Sequence, residues 1–209
     1  VPLLGGHHGA NRIAAELAEA FSSQAALTTA GERSYGVALD EPPSGWVLEN
    51  PKDAKGAMAA LLSGAEASLS GEAEWLSPLG VAAETAPRTD TAIRLSVEGA
   101  VPLTYWHQTL SLGLGCARNC PPEEMAELVR DTLANAGRSV HEVAAIHSID
   151  LKADEAAIQS LAASLKLRPS FYPAEVLEAQ KGRLANPSDV VFAEVRCHGV
   201  SEASALAAK

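Results

Sequence analysis

The C-terminal half of the chain alternates short apolar runs with longer stretches in which apolar residues recur every three or four positions. The first pattern predicts buried strands, and the second predicts helices that cover a sheet. The strands predicted in this half are Leu110–Gly115, Val143–Ile149 and Arg168–Tyr172. The helices predicted between and after them are Pro121–Ala136, Asp154–Leu165, Pro173–Gln180 and Val200–Ala208. This alternation predicts a layered α/β domain with a largely parallel sheet over residues 108–209.

The same pattern makes more detailed predictions for these helices. The residues predicted to face inward from the first of them are Met125, Leu128, Val129, Thr132 and Leu133. Ser201 is predicted to cap the last helix. The segment after Asn186 leaves two alternatives open, a helix that starts near Asp189 or a strand at Val190–Phe192.

The first 41 residues predict a partial N-terminal α/β domain built as a β-α-β unit. Val1–Leu4 has the pattern of a strand already under way, so we expect that an upstream part is missing. Residues 5–9 are predicted to form a glycine turn. A helix follows at Ala10–Phe21, with Ile13, Leu17 and Phe21 on one stripe, and Ala25–Thr29 is predicted to be the next strand. Thus only the second part of an α/β domain is expected before residue 42.

Residues 42–107 predict a small central α/β domain. Pro42–Gly45 breaks the chain and marks its start. Asn50 is predicted to cap a helix that has Pro51 at its first position. The strands predicted here are Trp46–Leu48, Glu66–Leu69, Trp75–Leu76 and Ala92–Val97. We assign Trp106 and His107 to a linker, with packing as their expected role.

The composition excludes several classes of partner. The chain has 209 residues, of which 47% are apolar and only 4% aromatic, and its net charge is -10. This charge argues against a general nucleic-acid binder, because neutralising phosphates requires clustered lysine and arginine. No apolar run approaches the roughly 20 residues that a membrane span needs. Three cysteines fit a reducing compartment better than a disulfide framework. We therefore expect a cytoplasmic protein with no nucleic-acid and no membrane partner.

The first candidate site is the segment GGHHGAN, which includes Asn11. Its glycines, Gly5, Gly6 and Gly9, allow backbone N–H groups to approach a ligand, and the helix start behind them favours anions. His7 and His8 can gain or lose a proton near neutral pH. The alternative is a tight strand-to-helix turn with two solvated histidines.

The second candidate site lies where two predicted strands end. Arg118 and Asn119 follow the first strand of the C-terminal domain, and Lys152, Asp154 and Glu155 follow the second. Open α/β sheets bind ligands at this edge. Acidic residues in a first helical turn are ordinary partners of the helix dipole, which explains Asp154 and Glu155 without a ligand. The helix dipole does not explain Lys152, because a cation before a helix N-terminus is electrostatically unfavourable. This lysine therefore favours an anionic ligand.

A third candidate is a zinc set made of Cys116, Cys120, Cys197 and His198. The Cys-x3-Cys spacing falls inside the usual range of about two to four residues. Against it, adjacent Cys and His residues make awkward neighbours in a tetrahedral site. Structural cysteines are the preferred interpretation, and no metal site is predicted.

Several segments together resemble the cobalt-precorrin-5A hydrolase family of cobalamin biosynthesis, the CbiG family. LLGGHHGANRIAAELA and ALTTA are similar to the second half of that family's N-terminal domain, and residues 45–66 to its central domain. LSLGLGCARNCPPEE, AAIHSIDLKADE, FYPAEVL and GVSEASALAAK are similar to its C-terminal domain. That domain also occurs alone as a small cobalamin-biosynthesis protein. The resemblance covers nearly the whole chain and implies that the first half of the N-terminal domain is absent.

The resemblance implies a carbon–carbon bond hydrolase. Family enzymes open a lactone on a cobalt-containing, ring-contracted tetrapyrrole and release a two-carbon fragment as acetaldehyde. On this interpretation His7 or His8 is the general base, and Asn11 hydrogen-bonds the lactone carbonyl. The groups expected to hold peripheral carboxylates are Arg118, Asn119 and Lys152. Asp154 and Glu155 are weaker candidates for acid or base.

The implied partners follow from the same resemblance. The cobalt-precorrin itself carries the cobalt, so no further cofactor is expected. A fused or associated precorrin methyltransferase is the expected protein partner. The alternative function is a non-catalytic module that binds a tetrapyrrole, or hands it over, beside such a methyltransferase.

Overall fold

The computed structural model of the chain describes residues 10–24, 35–84 and 92–208, without the side chains of residues 10–12, 15 and 82–84. Two compact units, Val1–His107 and Gln108–Lys209, make up the chain. Both contain helices and strands, which confirms the predicted mixed α/β class. The division into three domains, at residues 1–41, 42–107 and 108–209, stays a prediction. The predicted strands Val1–Leu4 and Ala25–Thr29 lie outside the described residues.

The first unit is built on a five-stranded sheet. Its elements are α1 (Ala10–Ala20), β1 (Trp46–Leu48), α2 (Ala54–Leu62), β2 (Ala67–Ser70), β3 (Ala82–Glu84), β4 (Ile93–Val97) and β5 (Leu103–His107). The strand order is β1-β5-β4-β2-β3, and only the pair of β2 and β3 is parallel. Leu95, Leu103 and Tyr105 are completely buried in its core. By contrast, the predicted stripe of Ile13 and Leu17 on α1 and Phe21 directly after it is exposed.

Two predictions for this unit are wrong. Trp75 and Leu76 belong to a 3-10 helix, Glu74–Leu79, and not to a strand. Leu76 and Leu79 are buried at a spacing of three, and Gly80 ends the helix with a φ of 65°. Trp106 and His107 lie in β5, opposite β1, and not in a linker. The Trp106 indole N–H donates to Glu49 at 2.8 Å.

Asn50 organises the start of α2 differently from the prediction. A 3-10 turn, Pro51–Asp53, precedes the helix, and the Asn50 side chain makes no capping hydrogen bond. Instead its amide donates to the Asp53 carboxylate and to the Pro102 carbonyl, and its oxygen accepts from the Thr104 N–H. Asn50 therefore ties the helix start to β5.

The second unit has three parallel strands in the order β6-β7-β8. The strands are β6 (Leu110–Gly113), β7 (Val143–Ile149) and β8 (Ser170–Tyr172). The helices are α3 (Pro122–Asn135), α4 (Ala156–Ser164), α5 (Ala174–Glu178), α6 (Asp189–Val195) and α7 (Ser201–Ala207). Ile146 packs with α3 and α4, whereas Ile149 packs with residues of α5 and α7. Because residues an odd number apart on a strand point to opposite faces, helices cover both faces of this sheet.

Local packing corrects several helix predictions here. Leu128 is 59% exposed and Thr132 is exposed, so the buried stripe of α3 consists of Met125, Val129 and Leu133 only. At the start of α6, Ser188 Oγ accepts from the Val191 N–H, and this cap decides for the helix over a strand at Val190–Phe192. Ser201 is the first residue of α7 and not its cap.

Among the described residues, no helix has the length and apolar character that a membrane crossing requires.

Candidate functional site

The carboxyl ends of β6 and β7 form one edge of the parallel sheet. The loop after β6 carries Arg118 and Asn119. After β7 a 3-10 turn, Asp150–Lys152, delays the next helix, so α4 starts at Ala156 and not at Asp154. Asp154 and Glu155 therefore lie in the loop before α4. The predicted charged residues of the two strand ends meet at this edge, where open parallel sheets bind ligands.

Arg118 is held by the loop after β7. Its Nη2 donates to the Leu151 carbonyl at 2.7 Å, and its Nη1 donates to Asp154 Oδ1 at 2.8 Å. Glu155 Oε2 is farther from Nη1, at 3.9 Å. The hydrogen bond from Arg118 lowers the pKa of the Asp154 carboxyl below its usual value. Asp154 is therefore ionised at neutral pH, and it is a poor proton donor there.

Lys152 has a buried partner. Its Nζ lies 3.3 Å from Glu155 Oε2, and the two side chains are only 13% and 4% exposed. This pair explains why a lysine precedes α4, which the helix dipole alone does not. The edge thus contains an exposed pair, Arg118 with Asp154, and a buried pair, Lys152 with Glu155.

Asn119 has a backbone role in the same loop. Its φ is 58°, in the left-handed region, where asparagine is tolerated better than most residues. The residue is exposed. Turn geometry therefore accounts for an asparagine here, and its predicted part in substrate binding stays a prediction.

The glycine-turn residues of the first candidate site, Gly5, Gly6, His7, His8 and Gly9, lie outside the described residues. Asn11 lies in the first turn of α1, and its side chain is not among those described. Their predicted roles stay predictions.

The zinc alternative is wrong for the four residues on which it was based. Cys116 and Cys120 pack against the cluster of α3 and α4, whereas Cys197 belongs to the cluster on the other sheet face. Among the described residues, no three His, Cys, Asp or Glu side chains form a group that could hold a metal ion. Burial raises the pKa of both Cys116 and Cys197, as expected for structural thiols.

His198 organises a second polar cluster, which the sequence did not predict. Its Nδ1 lies 2.8 Å from Glu178 Oε2, and its Nε2 lies 2.9 Å from Lys181 Nζ and 3.3 Å from Asp189 Oδ1. The hydrogen bond from His198 lowers the pKa of Glu178. The Phe192 ring packs beside the imidazole, with centroids 4.5 Å apart. These contacts join α5, α6 and the loop before α7.

His147 is a buried histidine in the middle of β7. It is 5% exposed, and its Nε2 has no hydrogen-bond partner among the described residues. Nδ1 lies 3.5 Å from the Tyr172 hydroxyl. Burial lowers the pKa of this imidazole, because a charge there would lose its hydration. The folded protein therefore favours neutral His147.

This burial predicts a loss of stability in mild acid. In the unfolded chain His147 has its ordinary pKa of about 6.5, so below that pH the unfolded state binds a proton that the folded state resists. The free energy of unfolding should therefore fall as the pH decreases through about 6.5. A His147→Phe variant should lose less stability between pH 7.5 and 5.5 in urea denaturation followed by circular dichroism. His141→Gln is the control and should behave like wild type. Equal losses in wild type and His147→Phe would contradict the prediction.

Comparison with known proteins places the chain in a family. Residues 110–209 match the family described as "Cobalamin synthesis G C-terminus", and residues 1–32 match "Cobalamin synthesis G N-terminal". The chain belongs to the cobalamin synthesis G family. This confirms the resemblance that the sequence motifs predicted, including the partial N-terminal match.

Two curated relatives of this family member differ in length and identity. Protein CobE of Sinorhizobium sp is 45% identical over 97 residues, which cover 46% of this chain and 63% of that protein. Cobalt-precorrin-5A hydrolase of Priestia megaterium is 27% identical over 232 aligned positions, which cover 99% of this chain and 62% of that protein. The chain thus spans less than two thirds of each relative.

A solved structure is also similar to this family member. It is the crystal structure of CobE, a protein from the cobalamin (vitamin B12) biosynthetic pathway. The match has 40% sequence identity and a TM-score of 0.45, and it covers 47% of this chain and 69% of that one.

Proposed function

We propose that the protein hydrolyses the lactone of cobalt-precorrin-5A and releases a two-carbon fragment as acetaldehyde, in corrin ring biosynthesis. The observation that carries this proposal is the alignment with cobalt-precorrin-5A hydrolase over 99% of the chain. The cations Arg118 and Lys152 at one sheet edge support it, because the substrate bears many acetate and propionate carboxylates. The cobalt enters with the substrate, so the proposal includes no further cofactor.

In the proposed reaction a water molecule attacks the lactone carbonyl. His7 or His8 removes its proton as general base, and Asn11 donates a hydrogen bond to the carbonyl oxygen. Arg118 and Asn119 hold carboxylates at the rim of the ring, and Lys152 offers them a further N–H donor while it stays paired with Glu155. The acyl C–O bond then breaks and leaves a carboxylate and a free hydroxyl. This hydroxyl loses its proton and becomes the carbonyl of acetaldehyde as the adjacent carbon–carbon bond breaks, and the macrocycle takes up the electron pair of that bond. The protein therefore acts mainly by positioning the ring and by moving protons.

A second candidate function is a non-catalytic module that binds a tetrapyrrole or hands it over to a precorrin methyltransferase. The observation that favours it is the higher identity of one part of the chain to CobE, 45% over 97 residues. Under this alternative the charged edge of the second unit binds the ring, and no bond is broken.

Release of acetaldehyde separates the two functions. The purified full chain is incubated with cobalt-precorrin-5A, and acetaldehyde is measured by coupled reduction with alcohol dehydrogenase and NADH. We expect one acetaldehyde for each lactone consumed. The control is a substrate whose lactone is already open and whose two-carbon fragment has already left, which should release none. Tight binding of the lactone without any acetaldehyde would contradict the hydrolase and support the binding module.

A further inference from the structure

The two acidic residues at the sheet edge are held in different ways. Asp154 is 79% exposed, and one of its oxygens contacts Arg118, which is itself 57% exposed. Glu155 is 4% exposed, and its partner Lys152 is 13% exposed. An exposed ion pair contributes little and exchanges easily with solvent or other ions. A buried pair is costly to break, because separating it leaves a charge without hydration.

The Arg118 guanidinium has a second hydrogen-bond acceptor besides Asp154. Its Nη2 donates to the Leu151 carbonyl at 2.7 Å, and this acceptor belongs to the 3-10 turn Asp150–Lys152. The residue after this turn is held by α4, because the Gln159 side-chain amide donates to the Ala153 carbonyl at 2.8 Å. A neutral carbonyl fixes the side chain without neutralising its charge, and the other nearby carboxylate, Glu155 Oε2, is 3.9 Å from Nη1 and too far for a hydrogen bond. Removing Asp154 would therefore leave a positioned cation with a free Nη1 donor.

We propose that Asp154 is a placeholder that occupies the position of a ligand carboxylate on Arg118 and is displaced when the ligand binds. Exchange of one carboxylate for another at Nη1 keeps the charge-assisted hydrogen bond, so displacement costs little beyond the exposed pair itself. Lys152 and Glu155 stay paired and hold the loop in place. Asp154 thus lowers affinity for anions and acts neither as acid nor as base.

The surroundings of Arg118 indicate the class of ligand. The Leu151 side chain is 51% exposed, next to the carbonyl that orients the guanidinium. An exposed leucine beside an arginine fits a molecule with an apolar face and a carboxylate rim. A polycarboxylate tetrapyrrole has both, and this choice of ligand rests on the proposed function.

The test measures binding of uroporphyrin III, a metal-free octacarboxylate porphyrin, to the full chain by fluorescence titration. We expect Asp154→Asn to tighten binding by about two- to fivefold, the equivalent of an exposed ion pair. The matched control is Asp131→Asn, which removes the same charge from an exposed position on α3 and should change affinity far less. In an Arg118→Gln background the Asp154→Asn change should give no gain, because the two residues act through one contact.

Three results would overturn the placeholder. They are equal affinities of the Asp154→Asn and Asp131→Asn variants, a gain that persists in the Arg118→Gln background, and no binding of the porphyrin to Asp154→Asn. No bond is broken in this titration, so its outcome is independent of acetaldehyde release. If Asp154→Asn shows the expected gain in affinity but the protein releases no acetaldehyde, the role of Asp154 as a placeholder is supported and the hydrolase function is contradicted.

Discussion

The Gly113→Ala variant is expected to lose about 3 kcal/mol of stability in the second unit, at the upper end of the usual cost of overpacking. A Cβ at Gly113 would lie 1.8 Å from the Ser201 carbonyl oxygen and 2.8 Å from Ser204 Oγ. The first of these atoms belongs to the backbone, so the start of α7 would have to move away from β6. Ser204 is completely buried in this contact, and its hydroxyl lies 3.0 Å from the Ser201 carbonyl oxygen and 3.3 Å from the His147 carbonyl oxygen, either of which can accept its proton. Space, not backbone conformation, therefore requires glycine here.

Two other glycines provide controls for this expectation. A Cβ at Gly182 meets nothing within 4 Å, so Gly182→Ala should stay within about 0.5 kcal/mol of wild type. Gly115→Ala should fall between the two, because its nearest neighbour at 3.0 Å is the rotatable Ser201 hydroxyl. Urea denaturation followed by circular dichroism gives the ranking. All three tryptophans lie in the first unit, so their fluorescence provides a separate probe of that unit. Equal denaturation midpoints for the alanine variants at positions 113 and 182 would contradict the predicted steric role of Gly113.

The sequence predicted strands well where the apolar run was continuous and both faces are covered. Val143–Ile149 was predicted with its observed bounds, because the strand lies between two helix layers and five of its seven residues are buried. β5 was missed, because only Leu103 and Tyr105 are buried, and a strand of five residues gives this alternation too few repeats to be distinctive. Trp75 and Leu76 were wrongly predicted to form a strand. Their apolar character suits a strand, but Pro78 and Gly80 select a tight turn.

The position of Arg118 and Lys152 at the same edge of the sheet could also be predicted, because parallel strands place their carboxyl ends at one edge. The sequence could not predict that Arg118 pairs with Asp154 and Lys152 with Glu155. That pairing depends on the 3-10 turn after β7, which moves Asp154 and Glu155 out of the helix and directs only Glu155 into the interior. The cluster around His198 was hidden for a simpler reason. Its partners Glu178, Lys181 and Asp189 are up to 20 residues away and carry no local pattern.

Replacement of both His7 and His8 with glutamine is expected to lower kcat for acetaldehyde release by about 100-fold or more, the usual contribution of a general base. Four other titratable groups of the second unit are poor alternatives as the base. His147 and His198 are 5% and 7% exposed, and both ring nitrogens of His198 already have hydrogen-bond partners. The lowered pKa of Asp154 makes it a weak base, and Glu155 is buried against Lys152. These constraints support the glycine turn as the source of the base.

The pH dependence of the rate and the affinity for the substrate distinguish a general base from a residue that only binds the ring. A histidine base must be neutral, so the wild-type rate should rise through about pH 6.5, and the double variant should lose this rise along with its activity. The Kd for the lactone should stay within about twofold, because a group that acts only in the transition state does not change ground-state binding. His141→Gln makes the same chemical change at a histidine outside the glycine turn and should retain full activity. If the double variant keeps its kcat, the base lies elsewhere. If it loses binding in proportion to its rate, the turn holds the ring and does not move the proton.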